Sequence, residues 1–123
     1  MFRIQRIYDY TPQADETGIF LDRLYPRGIH KALMTQVVWL KDLTPSAELR
    51  RWYHVDRDNR YAAFAERYRA ELLDPEHQAA LAELWRLSKT RPRTVLLTAA
   101  KQPEHSHIAV LLDYLHENGT DRT

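Results

Sequence analysis

The chain has 123 residues, with 18 Lys and Arg against 17 Asp and Glu and 44% apolar residues, which fits one globular domain and leaves no room for two. It has no cysteine, which excludes a thiol nucleophile, a redox pair and a thiolate metal site and suits a reducing compartment, so cytoplasm is the expected location. A net charge of +1 with six neutral histidines provides no global field toward nucleic acid or anionic lipid, and no apolar run reaches the length of a secretory leader or a bilayer span, so no membrane association is expected and any charge-driven binding must be local.

From the front, Phe2 to Tyr8 reads as a first strand. Thr11-Pro12 through Gly18 supplies turn residues, and Ile19 to Leu24 reads as a second, short strand. Ile19-Phe20-Leu21 is apolar without alternation, the mark of a strand covered on both sides as in parallel sheets. Tyr25-Pro26-Arg27-Gly28 then breaks the strand, and Gln36 to Leu43 fits either a short strand or an ordered loop.

Helices follow. Thr44 is placed to cap one with Pro45 at its first position, and Leu49, Trp52 and Tyr53 share a face. Tyr61, Phe64, Ala65, Tyr68 and Leu72 repeat at helical spacing with charges on the other faces, so these aromatics are expected in the core. Asp74-Pro75-Glu76 is a cap, a first-turn proline and a first-turn acid, opening a helix that turns Ala80, Leu81, Leu84 and Leu87 inward and ends before Pro92. Thr94 to Ala100 is again apolar without alternation and reads as the central strand. Ser106 caps a last helix with Ile108, Leu111, Leu112 and Leu115 inward, closed by Asn118-Gly119. The expected fold is a single α/β domain over residues 1–119, a small, mainly parallel sheet flanked by helices on both faces, with 120–123 as a loose tail.

Ligands of parallel α/β sheets sit beyond the carboxyl ends of the strands, so the polar segments after the two apolar strands hold the candidates. Asp22 ends a buried strand, where a carboxylate must be paired; its alternative role is a structural ion pair. Arg27, between Pro26 and Gly28, is held by a turn and suits an anion. Lys41 precedes a helix start and is a further anion-binding candidate, whereas Ser46 and Glu48 fit ordinary helix capping better. Lys101 and His107 bracket the loop after the central strand. Asp22 and His107 are thus the candidate catalytic pair, and Arg27, Lys41 and Lys101 the candidate binding groups, around one cleft. His105 and His107 stand two apart with no third ligand near, so no metal site is expected. Arg86, Lys89, Arg91 and Arg93 fit a solvated helix end better than a nucleic-acid footprint.

The strings LDRLYPRG (Leu21 to Gly28), WLKDLTPSAELRRWY (Trp39 to Tyr53), FAERYRAEL (Phe64 to Leu72) and LLTAAKQPEHSHIAVLLDYL (Leu96 to Leu115) resemble, in order, the blocks of the domain of unknown function 488 family, YeaO-like branch. That resemblance implies a small prokaryotic α/β domain with an enzyme-like set of polar residues, and it names no reaction. Tyr25 stands where the family commonly has Trp, Ser106 where it often has Asn, and His54-Val55-Asp56 departs from the usual spacing, which sets His54 aside. More distant members open the last helix with Cys-His-Arg, of which Ser106-His107-Ile108 keeps only the histidine.

Two functions fit these residues. One is an enzyme acting on a small anionic metabolite, phosphorylated or nucleotide-like, with Asp22 or His107 moving a proton. The other is a non-catalytic module that senses an anionic ligand or binds a protein partner, the latter through Trp39 and Trp52. No residue in either reading supplies an evident nucleophile, and neither a cofactor nor an oligomeric state is legible.

Overall fold

Apolarity without alternation does place strands at the centre of a parallel sheet. The computed structural model describes residues 2–118. Its strands are Phe2–Arg6 (β1), Glu16–Phe20 (β2), Val38–Trp39 (β3) and Arg93–Thr98 (β4), in the order β1-β4-β2-β3 with every neighbouring pair parallel. Every residue of β2 and all of β4 after Arg93 is buried. Ile19 lies opposite Leu96 and Phe20 opposite Leu97, so the expected parallel pairing of these segments holds.

The helices are Lys31–Met34 (α1), Ala47–Val55 (α2), Arg57–Glu71 (α3), Pro75–Ser88 (α4) and His107–Asn118 (α5), with 3-10 turns at Ile7–Asp9, Lys41–Leu43 and Pro103–His105. The two sheet faces are covered unequally. Ile19, Leu21 and Leu96 face the larger core, built with α2 to α5. Phe20, Val95 and Leu97 face a smaller one, closed by Ile7, Tyr10 and side chains in and around α1. Among the described residues no helix is long and apolar enough to cross a membrane.

Several boundaries move. β2 spans Glu16–Phe20 rather than Ile19 to Leu24, because its two leading polar residues are paired: the Glu16 carboxylate accepts from Arg3 at 2.9 Å, its carbonyl accepts from Arg91 at 2.7 Å, and Thr17 meets Thr90 at 3.4 Å. β1 stops at Arg6, where Ile7–Asp9 turns, and β4 stops at Thr98. The segment Gln36 to Leu43 holds both a two-residue strand and a 3-10 turn. Ser46, not Thr44, caps α2, accepting from the Leu49 amide at 3.1 Å, so Pro45 lies outside the helix; Thr44 donates to the Lys41 carbonyl at 2.7 Å instead. Asp74 and Pro75 open α4 as expected, and Ser106 accepts from the Ile108 amide at 3.3 Å at the start of α5. The helix stop at Gly119 and the tail 120–123 lie outside the described residues. Gly28 has φ +79°, a conformation that only glycine adopts without strain, which fixes the turn after β2.

α3 carries the aromatic core. Phe64, Tyr68 and Leu72 are buried and Tyr61 is half-buried, while Arg69 reaches Glu117 at the surface. The Phe64 ring stacks on Tyr53 of α2 at 4.2 Å, and Tyr68 donates to the Leu43 carbonyl at 2.6 Å. A buried His77 pins α4 to the loop before α2: its Nδ1 is 2.9 Å from the Asp74 carboxylate and its Nε2 2.8 Å from the Thr44 carbonyl. Both neighbours only accept, so both ring nitrogens donate and the imidazole is cationic. Burial opposes that charge, but the Thr44 carbonyl and the Asp74 carboxylate outweigh it and raise the pKa.

Phe64→Ala should destabilise by about 3–5 kcal/mol in urea unfolding, because it removes the ring on which Tyr53 stacks. A loss below about 0.5 kcal/mol would show that this face is not core. Because the His77 pKa is raised by folding, its contribution is complete below about pH 6.5 and is lost as pH rises through the folded value. The stability gap between wild type and His77→Gln should therefore be wider at about pH 5.5 than at about pH 8.5, and an equal gap would remove the cationic assignment.

Candidate functional site

Parallel pairing makes β2 and β4 leave the sheet at the same end. The Leu21 amide extends the pairing by one bond to the Leu97 carbonyl at 2.9 Å, which sets Asp22 beside the exit of β4. One carboxylate oxygen accepts from the Thr98 hydroxyl at 2.6 Å and the other from the Ala99 amide at 2.8 Å. From the first turn of α5, His107 Nε2 lies 2.5 Å from the Leu21 carbonyl and 3.3 Å from Asp22 Oδ1. Both are acceptors, so Nε2 carries the proton. Burial works to raise the Asp22 pKa, and the bonds from His107, Thr98 and Ala99 overcome it, leaving the carboxyl below its ordinary value.

This pair lines a cleft of about 680 Å³ between the strand exits and the α2–α3 junction. Lys101 and Gln102 line it after β4, and Arg23, Leu24 and Tyr25 after β2. Its helical side brings Arg50, Tyr53, His54, Arg57 and Asp58. Burial and the charges of Arg50, Arg57 and His107 hold His54 below the usual histidine range. Among the described residues none of Arg23, Arg50, Arg57 and Lys101 forms a salt bridge, although Arg23 donates to the Pro45 carbonyl at 3.2 Å.

The structure thus brings together three of the sequence candidates, Asp22, His107 and Lys101, and leaves two outside the cleft. Arg27 is exposed in the turn, its carbonyl accepting from Tyr8 at 2.8 Å. Lys41 sits 5.5 Å above the Trp39 ring and borders a separate shallow groove with Glu76 and Glu83. Arg50 and His54 were not legible as cleft residues because they share the polar side of α2 with its capping chemistry, and Arg57 because it opens α3 beyond the helix break at Asp56. Their signal within α2 is spacing, since Arg50, Tyr53 and His54 fall at i, i+3 and i+4.

The remaining candidates are occupied elsewhere. Trp39 is half-buried and donates to the Asp22 carbonyl at 2.6 Å, and half-buried Trp52 lies beneath Arg60 and Arg67, at 4.6 and 4.0 Å. Arg86 pairs with Glu83, and Arg93 with Asp15. Among the described residues no group of three His, Cys, Asp or Glu side chains could hold a metal ion.

A family model described as "Inactive DUF488-N3 subclade" matches residues 1–123. The chain is similar to the uncharacterized protein Rv3073c of Mycobacterium tuberculosis (strain ATCC 25618 / H37Rv), 40% identical over 114 residues, covering 93% of this chain and 92% of that protein. It is likewise similar to the uncharacterized protein YeaO of Escherichia coli (strain K12), 40% identical over 111 residues, covering 90% and 93% of the two chains. No solved structure matches.

Asp22→Asn should cost about 2 kcal/mol near neutral pH, because the new amide nitrogen would face either the Ala99 N–H or the His107 Nε2–H. Folding depresses the Asp22 pKa, so the stability it adds is present above about pH 4 and disappears as pH falls through the folded value. The gap between wild type and variant in urea unfolding should therefore close between about pH 5 and about pH 2. A gap that stays constant across that range would show that Asp22 is not a stabilising carboxylate.

Proposed function

From the premise that the chain belongs to the DUF488 family, in the subclade described as inactive DUF488-N3, we propose that it is a non-catalytic module whose cleft binds a small anion. The observation that carries this reading is the state of the cleft's hydroxyls. Thr98 donates to Asp22, Ser106 to the Pro103 carbonyl at 2.8 Å, Thr44 to the Lys41 carbonyl and Tyr25 to the Ile29 carbonyl at 3.2 Å. Tyr53 is directed at the His105 carbonyl, 3.5 Å away.

A nucleophilic mechanism needs a hydroxyl facing a base, and these five face carbonyls or a carboxylate instead. Asp22 accepts on both oxygens, and the Nε2–H of His107 is directed at Leu21 and Asp22, which leaves His107 Nδ1 as the candidate base, with none of the five hydroxyls hydrogen-bonded to it. The word inactive in the subclade's description is in keeping with that chemistry. The cations, by contrast, have charge to offer. Arg50, Arg57 and Lys101 line the cleft without a carboxylate partner among the described residues, and guanidinium groups suit phosphate or carboxylate oxygens.

Thermal unfolding in the presence of phosphate esters tests the reading. A ligand present at a hundredfold excess over its Kd adds about 2.7 kcal/mol of stability, a rise in Tm on the order of 10 °C for a domain of this size. Arg50→Ala and Lys101→Ala should lose the rise, Arg27→Ala and Lys41→Ala should keep it, and added salt should shrink it. Bound phosphate should also raise the His54 pKa, read by histidine NMR, because it offsets the charges of Arg50 and Arg57. Absence of any Tm rise across inorganic phosphate, sugar phosphates and nucleotides would overturn anion binding. Turnover of any of these that Asp22→Asn or His107→Ala abolishes would overturn the non-catalytic assignment.

A further inference from the structure

At the mouth of the cleft stands an aromatic ring that is exposed and yet held. Tyr25 is 47% exposed and neighbouring Leu24 62%. The Tyr25 hydroxyl donates to the Ile29 carbonyl at 3.2 Å, and its ring meets Trp39 edge-on, with centroids 6.1 Å apart. Trp39 is fixed in turn by its bond to the Asp22 carbonyl. The ring's position is therefore set at both its edge and its tip, from a loop that Gly28 turns back on itself.

Ordering a side chain costs conformational entropy, and an exposed ring recovers little of that cost through burial. A ring fixed in this way is preorganised for a partner that would cover its open face. Tyr25 and Leu24 line the same cleft as Arg50, Arg57 and Lys101, so one cavity carries an apolar lip and a set of cations drawn from separate elements. Its volume of about 680 Å³ falls within the usual range for drug-sized ligands and far exceeds what an inorganic phosphate fills.

We propose that the anion taken by this cleft carries a planar aromatic ring, as a nucleoside monophosphate does, with the ring stacked on Tyr25 beside Leu24 and the phosphate held by Arg50, Arg57 and Lys101. This rests on the anion-binding reading above and adds the ligand class. Stacking on an aromatic side chain tolerates any base, because every base presents a π-face, so the site selects nucleotides over sugar phosphates more strongly than it selects among bases.

Calorimetric titration of the full chain at low salt with AMP, ribose 5-phosphate, adenosine and inorganic phosphate tests this. AMP should bind at least about fivefold more tightly than ribose 5-phosphate, and adenosine should bind much more weakly than AMP. Tyr25→Leu should bring AMP to within about twofold of ribose 5-phosphate, and Tyr25→Phe should retain the preference. Equal binding of AMP and ribose 5-phosphate by wild type, or a preference that survives Tyr25→Leu, would each overturn the ring assignment and leave anion binding standing, whereas adenosine binding as tight as AMP would overturn the role given to the phosphate and with it the anion-binding reading. Failure of all three phosphate-bearing probes to bind would overturn the anion-binding reading together with this one.

Discussion

The carboxylate of Asp22 is the tie on which the cleft depends. Two parallel strands that end side by side would otherwise splay into independent loops, since nothing in a parallel ladder binds the chain beyond its last residue. Asp22 accepts from the side chain of Thr98 and the backbone of Ala99, and His107 brings the start of α5 to the same point. A carboxylate so placed would cost several kcal/mol if left unpaired, and here its donors come from three successive parts of the fold. The bonds that hold the cleft floor together engage both oxygens of Asp22 and the Nε2–H of His107. The same oxygen atoms thus tie the exit of β2 to the exit of β4 and to α5.

The helical wall has a tie of its own. Glu71, at the end of α3, accepts from both the amide of Ser46 at 2.8 Å and its hydroxyl at 2.6 Å, while Ser46 caps α2. The start of α2 is thereby fixed against the end of α3, and the Tyr53–Phe64 stack fixes the middle of the same pair. Arg50, His54 and Arg57 then converge on a chain whose net charge is only +1. Like charges gathered in this way repel, a cost to the empty protein that an anion would remove. The lowered pKa of His54 reflects that same local field, with burial as the larger cause.

The sequence made the fold legible wherever a single force decides the structure. Val95-Leu96-Leu97 could satisfy its side chains only at the centre of a sheet, and Asp74-Pro75 could only open a helix, so both are read from their residues alone. Legibility fails where a distant partner decides. Glu16 and Thr17 look like turn residues until Arg3, Arg91 and Thr90 arrive from other segments to pair them. Thr44 looks as good a cap as Ser46, and what distinguishes them is Glu71, 25 residues further on from Ser46. The candidate site divides along the same line. Asp22, Lys101 and His107 follow from the rule that loops after parallel strands meet at one end, which needs no partner. Arg27 and Lys41 fall outside because their directions depend on a local turn and on the Trp39 ring.

β2 carries an acid near each end, and the two are neutralised in contrasting ways, with the cleft beside the second. Glu16 is nearly fully buried, and exposed arginines lie over it: Arg3 at 2.9 Å and Arg93 at 3.6 Å reach one of its oxygens from outside. The charge is closed off by flexible side chains, and Tyr10 packs against Gly18 so tightly that a Cβ there would lie 3.0 Å from the ring. At the other end Asp22 takes its neutralising bonds from the exit of β4 and from α5, all inside the fold, so no arginine is required to cover it. The arginines near that end are left facing the cleft instead. An acid neutralised from outside engages the nearby arginines in ion pairs, whereas an acid hydrogen-bonded from within leaves the nearby arginines without a carboxylate partner among the described residues. The direction from which each buried carboxylate is neutralised therefore separates the end of the sheet whose cations are paired from the end whose cations are not.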